Sequence, residues 1–200
     1  NELQEDAKRN VIKLLTTECM DRLDALYFAD SVGSMTPKDI TSTVSIIRSF
    51  GWTGDLGFHA HDNMSFALIN AIQSLNEGVN WIDCTVAGMG RGAGNLSTEM
   101  FLAYCLSDDR SDYNFTPMMK LSAQNFSKLK ANYGWGASPL YLLAAKWGIH
   151  PTYVQQLEAD NSQSFEALAV LEELKKHSAL KYDKKLLESI VGSFKNAEDR

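Results

Sequence analysis

Apolar and polar positions along the chain fall into a short repeating pattern. Ala25 to Ala29 is a brief apolar run that ends in Asp30-Ser31-Val32-Gly33, which reads as a buried strand followed by a loop. Thr36-Pro37-Lys38-Asp39 follows, with a capping hydroxyl, a proline suited to the first helical position and an acid in the first turn. These signals predict a helix to about Phe50. The unit recurs as strand Asp55 to Ala60 with helix Ser65 to Glu77, and again as strand Asn80 to Val86 with helix Ser97 to Leu106. Three strand-helix units in succession predict an α/β fold with a parallel sheet and right-handed crossovers. Ahead of them, Leu3 to Leu23 carries Val11, Ile12, Leu14, Leu15 and Leu23 among charged residues, the pattern of an amphipathic helix packed on a sheet.

After Asp108 the pattern changes. Asp108 to Asp112 reads as a polar linker, and helices are expected near Met118 to Ala131, Ser138 to Trp147, Phe165 to His177 and Tyr182 to Phe194. The chain divides accordingly into an α/β unit over residues 1–112 and a helical unit over 113–200.

Polar residues gather at the carboxyl end of every predicted strand: Asp30-Ser31, His59 to Asn63, and Asp83 to Asn95. In parallel α/β folds that edge binds ligands. His59 and His61 stand two apart at a strand end, so both rings point the same way and together make a chelate for Zn, Mn, Co or Fe, with oxygen ligands favouring the harder ions. A pair of surface histidines in a loop is the plainer alternative. Gly88 to Asn95 places glycines at alternate positions, allowing tight turns and close backbone approach. The dinucleotide fingerprint is not met, because Ala93 or Asn95 falls where its third glycine belongs. Asn95 offers a carbonyl oxygen to a metal and Arg91 a guanidinium to a carboxylate, unless each is an exposed loop residue.

Asp30, Asp62 and Asp83 are candidates for orienting ligands or moving protons, Asp62 being equally readable as a solvated loop charge. His150, ahead of Pro151 in a connector, and His177 read as structural or exposed. Trp135, Tyr141, Trp147 and Tyr153 read first as core.

Charge and composition narrow the function. The 200 residues carry 19 basic and 25 acidic side chains, and Arg91 is the only cation from Ser49 to Asp109, so no basic stripe exists for a nucleic-acid backbone. No apolar run reaches membrane-spanning length and Asn1 to Asn10 is no signal peptide, which makes a cytoplasmic protein the expectation. Cys19, Cys84 and Cys105 are too few and too scattered for a disulfide framework or a CxxC pair. No lysine occurs between Lys38 and Lys120, which disfavours Schiff-base chemistry in this portion.

Ala29 to Gly33, Gly57 to Asn63 and Asp83 to Asn95, in that order and spacing, resemble the last three strands of the HMG-CoA lyase-like, metal-dependent barrel family. The resemblance implies the C-terminal part of a parallel (β/α)8 TIM barrel, with residues 1–112 as its catalytic portion and 113–200 as a helical subdomain. It implies that His59, His61 and Asn95 bind a divalent cation, Mn2+ first and Mg2+, Co2+ or Zn2+ as alternatives. Ser31 would hold a keto-acid carboxylate, and Asp30, Ser31 and Arg91 make up the expected catalytic set.

Within the family the likeness is greatest to the 4-hydroxy-2-oxovalerate aldolase branch, since Gly90 to Gly94 lacks the cysteine-bearing loop of the lyase branch. Tyr133 to Tyr141, through Ile149 and Tyr153, resembles the helical region after the aldolase barrel. Its catalytic tyrosine is matched here by Trp135, with Tyr133 nearby, and both are expected to contact substrate. The implied activity is cleavage or formation of a C–C bond next to a 2-keto acid. The small-molecule partners are then a keto acid and an aldehyde, the protein associates as an oligomer, and an aldehyde dehydrogenase is a further partner. An acyl-CoA-condensing synthase, HMG-CoA lyase, or a non-catalytic self-associating piece are the alternatives. The first five barrel strands, with their aspartate ligand and arginine, have no counterpart, and the chain opens on Asn1, so a fragment of a longer enzyme is expected.

Overall fold

The computed structural model describes residues 9–10, 12–13, 23–107, 114–159, 164–177 and 179–198. The expected boundary near residue 112 lies outside them. So does most of the first amphipathic helix, although Ile12 is buried in the core.

Three strands, β1 (Ala25–Asp30), β2 (Asp55–Ala60) and β3 (Trp81–Asp83), form a parallel sheet in sequence order. Ala25 is opposite Asp55 at the start of the β1–β2 register, Ala29 is opposite His59, and His59 is in turn opposite Asp83. Between them run α1 (Pro37–Ser49) and α2 (Ala67–Asn76), and α3 (Thr98–Ser107) follows β3. At the start of α1 the Asp39 carboxylate accepts from the Thr36 amide at 2.8 Å and from the Thr36 hydroxyl at 2.7 Å, which fixes where the helix begins.

The strand period of two sorts the sheet into two faces. Leu26, Phe28, Leu56, Phe58 and Ile82 belong to a core with Ile40, Val44 and Ile47 of α1 and Ala67 and Ala71 of α2. On the other face Tyr27 and Trp81 are exposed, and His59 shares that face by register.

β3 is shorter than the Asn80 to Val86 run predicts. After Asp83 the chain makes only an isolated bridge, Thr85 to Ser97, and then a 3-10 turn over Val86–Gly88. Ala87 sits at φ 54°, and both oxygens of the Glu99 carboxylate accept from its amide at 2.9 Å, so a side chain on α3 holds the turn that ends the strand.

The helical region consists of α4 (Phe115–Leu121), which passes through a π turn (Ser122–Phe126) into α5 (Ser127–Tyr133), then α6 (Pro139–Trp147), α7 (Pro151–Ala159), α8 (Ser164–Leu174) and α9 (Lys184–Glu198). His150 lies in the short connector after α6, as expected, but α7, which begins at Pro151, was not among the expected helices. Pro151 stands at the start of the helix, where it costs no hydrogen bond, and Tyr153, Val154 and Leu157 turn one face inward. They join Tyr141, Ala144, Ile149, Leu171 and Leu174 in a second core, which also takes in Ala93 from the glycine loop. Among the described residues no helix is long and apolar enough to cross a membrane.

Candidate metal and substrate site

The carboxyl ends of the three strands and the loop after β3 bring the predicted polar residues together. His59, still within β2, has its ring 5.0 Å from that of His61, edge to face at 84°. Each ring is held by its Nδ1. His61 Nδ1 lies 2.7 Å from the backbone carbonyl of Asp30, and because a carbonyl only accepts, that nitrogen carries the proton. His59 Nδ1 lies 3.1 Å from Asp83 Oδ2, the carboxylate opposite it in the register. Both contacts leave Nε2 as the lone-pair nitrogen, the arrangement in which an outer partner orients an imidazole toward a metal.

Asn95 lies beside His61. It bridges to His61 in antiparallel fashion, its Nδ2 donates to the Met89 carbonyl at 3.1 Å, and its buried Oδ1 has no hydrogen-bond partner. A buried carbonyl oxygen without a donor is costly, and a cation removes that cost. A Cβ on Gly90 would come within 2.8 Å of Asn95 Nδ2, so the loop keeps a glycine where it presses on this side chain. Two imidazole nitrogens and one amide oxygen are a donor set that suits a divalent ion. Among the described residues no group of three or more His, Cys, Asp or Glu is poised for a metal, and the donor set as it stands leaves coordination positions open.

Asp30 is 4% exposed, and its carboxylate accepts from the amides of Ser34 at 3.0 Å and Met35 at 2.9 Å. Burial pushes its pKa up, against the pull of these loop amides and of His61. Its side chain thus serves the β1–α1 loop while its carbonyl serves His61. Asp62 accepts from the Ala67 amide at 3.0 Å ahead of α2, and burial raises its pKa as well, so it is a loop clasp and not a solvated charge.

A small cavity of about 40 Å³ is lined by Ser31, His61, Asn63, Arg91, His150, Pro151, Thr152 and Gln155. A larger one of about 250 Å³ adjoins it and shares Arg91 and Gln155, with Tyr133, Trp135, Tyr141 and Glu158 among its walls. Ser31 and Arg91 therefore meet at the first cavity, and Tyr133 and Trp135 at the second. Trp135 is buried, and its indole donates to the Ala87 carbonyl at 3.0 Å, whereas Tyr133 is 78% exposed. His150, Gln155, Tyr141 and Glu158 were not expected at the site. For His150 the signal was present: a residue before Pro at a helix start is a capping position, and its Nδ1 accepts from the Thr152 amide at 3.3 Å.

Residues 9–124 match the HMGL-like family. The chain belongs to that family. Over 83 residues it is 39% identical to 4-hydroxy-2-oxovalerate aldolase 2 of Burkholderia lata, an alignment covering 41% of this chain and 24% of that protein. The chain thus spans about a quarter of the length of the curated relatives it matches. Among solved structures, the N-terminal domain of a proposed aldolase from Bacteroides vulgatus superposes with a TM-score of 0.68 at 29% identity, over 78% of this chain and 51% of that one. The carboxyl transferase domain of Rhizobium etli pyruvate carboxylase, solved with pyruvate and biocytin, also gives 0.68, at 10% identity, over 98% of this chain and 35% of that one. This second likeness is one of fold alone, and it extends through the helices of an HMGL-like chain.

Proposed function

We propose that this HMGL-like chain is the C-terminal part of a (β/α)8 barrel, its strands six to eight followed by a helical subdomain, in a divalent-metal-dependent aldolase of 2-keto acids. Residues 1–112 form the barrel portion and 113–200 the helical one. The observation that carries the reading is the set of donors at the strand ends: two histidines with Nδ1 engaged and Nε2 available, beside a buried Asn95 Oδ1 without a partner. His59, His61 and Asn95 would hold the ion, with Mn2+ the first choice because an amide oxygen joins the imidazoles. The ion supplies Lewis acidity toward the keto carbonyl and so favours the enolate of the keto acid.

This chain's own residues bind and orient. Asp83 fixes the His59 ring, and the Asp30 carbonyl fixes that of His61. At the small cavity Arg91 and the Ser31 hydroxyl are the groups for a keto-acid carboxylate. In cleavage of 4-hydroxy-2-oxovalerate the 4-hydroxyl loses its proton, the bond between C3 and C4 breaks, acetaldehyde leaves and pyruvate remains as its enolate to be protonated. The relatives' name supports this substrate class. The reading carries with it a cytoplasmic location, self-association, and an aldehyde dehydrogenase as the partner that consumes the aldehyde.

The test uses the full-length protein that carries this chain. With Mn2+ it is expected to release pyruvate from 4-hydroxy-2-oxovalerate, and His61→Ala is expected to lose tight Mn2+ binding along with activity. Full metal content in His61→Ala by elemental analysis would overturn the metal assignment. Condensation that depends on acetyl-CoA would move the protein to the synthase branch.

A further inference from the structure

We propose that Trp135 is a positioning residue for the metal: its indole holds the turn after β3 and, through that turn, the side chain of Asn95. The inference rests on the proposed role of Asn95 as a ligand and deepens it.

What needs holding is the direction of Asn95 Oδ1. No donor reaches that buried oxygen, so its aim is set elsewhere: Asn95 Nδ2 donates to the Met89 carbonyl, and the Asn95 amide donates to the Gly88 carbonyl at 3.0 Å. Both acceptors belong to the two residues that follow Ala87. The amides of Gly88 and Met89 donate in turn to the carbonyls of Thr85 and Val86, each at 3.0 Å. The ligand is therefore tied to the turn, and a shift of the turn moves it.

The turn does not hold itself. Ala87 sits at φ 54°, a region that residues with a Cβ rarely occupy, so it persists only while its surroundings impose it. Its peptide groups are captured on two sides. Both Glu99 oxygens accept from its amide, and its carbonyl accepts from Trp135 Nε1 at 3.0 Å, a contact that reaches across 48 residues. The next residue repeats the grip, since the Gly136 amide donates to the Gly92 carbonyl at 3.0 Å. A Cβ on Gly94, the neighbour of Asn95, would stand 3.4 Å from Trp135 Cδ1, so the ring covers the loop beside the ligand as well.

The chemistry of an indole suits holding and not reacting. It carries one polar hydrogen and no basic lone pair, that hydrogen is given to Ala87, and the residue is 7% exposed. A phenol hydroxyl at this place can pass a proton, whereas an indole fixes the carbonyl it donates to. Removal of the N–H takes one of the two captures from the strained turn, and the cost falls on the aim of Asn95.

The experiment titrates Mn2+ into the metal-free full-length protein that carries this chain and reads the free ion by electron paramagnetic resonance, in wild type, Trp135→Phe, Asn95→Ala and the double variant. Trp135→Phe, which keeps a ring and removes the N–H, is expected to bind Mn2+ about tenfold more weakly, the lower end of what an outer partner of a metal ligand contributes. In the Asn95→Ala background the same change is expected to alter affinity by no more than about twofold, because the ligand it positions is gone. A general loosening of the fold would instead weaken both backgrounds alike. Unchanged affinity in Trp135→Phe, or an equal loss with and without Asn95, overturns this inference and leaves the metal assignment standing. Unchanged affinity in Asn95→Ala overturns the assignment of Asn95 as a ligand and this inference with it. Where circular dichroism shows Trp135→Phe unfolded, Glu99→Gln, which loosens the same turn from its amide side, takes its place under the same criteria.

Discussion

At the scale of single residues, the site is organised by what stands behind the ligands. Asp83 is only half-buried, so its removal should cost little stability, yet it orients His59. Asp83→Ala is expected to weaken Mn2+ binding by about 10- to 100-fold, the usual effect of losing an outer partner of a metal histidine, with the melting temperature nearly unchanged. Metal titration alongside thermal denaturation checks both, and equal affinity would remove Asp83 from the site.

Asp30 should behave in the opposite way. Its two loop amides need an acceptor, and an amide NH2 in place of one oxygen sets donor against donor. Burial of the charge dominates the Asp30 pKa, and Asp30→Asn relieves that cost, but its NH2 cannot accept from a loop amide as either protonation state of the carboxyl can, and this clash is the larger effect. A loss of about 1 to 3 kcal/mol in urea denaturation is expected, and a stabilised variant would show that relief of the buried charge outweighs the clash.

Secondary-structure elements tell which part of this was readable in the sequence. Strands β1 and β2 and helix α1 lie within a residue of where the apolar runs and the Thr36-Pro37 start place them. The strand alternation was enough to put His59 and His61 on one side. What the sequence withheld was long-range: Asp83 faces His59 from 24 residues away because of the sheet register, and His150, Gln155 and Glu158 reach the cavities because α7 packs beside the glycine loop. No local pattern encodes either. The early end of β3 has the same kind of cause, since it depends on Glu99 capturing the Ala87 amide.

That capture has a pH signature. Burial alone would push the Glu99 pKa up, but hydrogen bonds from Ser122, Ser97 and Ala87 outweigh it and hold the carboxyl below the usual range. A lowered folded-state pKa means that the stabilisation is complete above the unfolded value, near pH 4.3, and is lost as pH falls through the folded one. Glu99→Gln is therefore expected to flatten the acid side of the stability curve between about pH 3 and 5. A wild-type slope in that range would show that the turn is held by something else.

For the whole molecule the sheet is the governing feature. Among the described residues neither β1 nor β3 has a strand on its outer side, and one face leaves Tyr27 46% and Trp81 53% exposed. Unpaired edges and an apolar open face favour association. The isolated 200-residue chain is expected to elute in size-exclusion chromatography with light scattering above its monomer mass of 22.3 kDa, and to bind Mn2+ only weakly. A clean monomer with one tight equivalent of metal would contradict the barrel-portion reading.

The open face also gives the protein an optical handle. Trp52 and Trp135 are buried and Trp147 is half-buried against the second core, while Trp81 stands on the sheet with its indole tied to Asp55 Oδ2 at 3.0 Å. When the remaining strands close over that face, Trp81 passes from water into an apolar interior, and its emission should move to shorter wavelength. A Trp81→Phe variant would lack that component of the shift, so a single fluorophore already in the chain reports whether the barrel around it has closed.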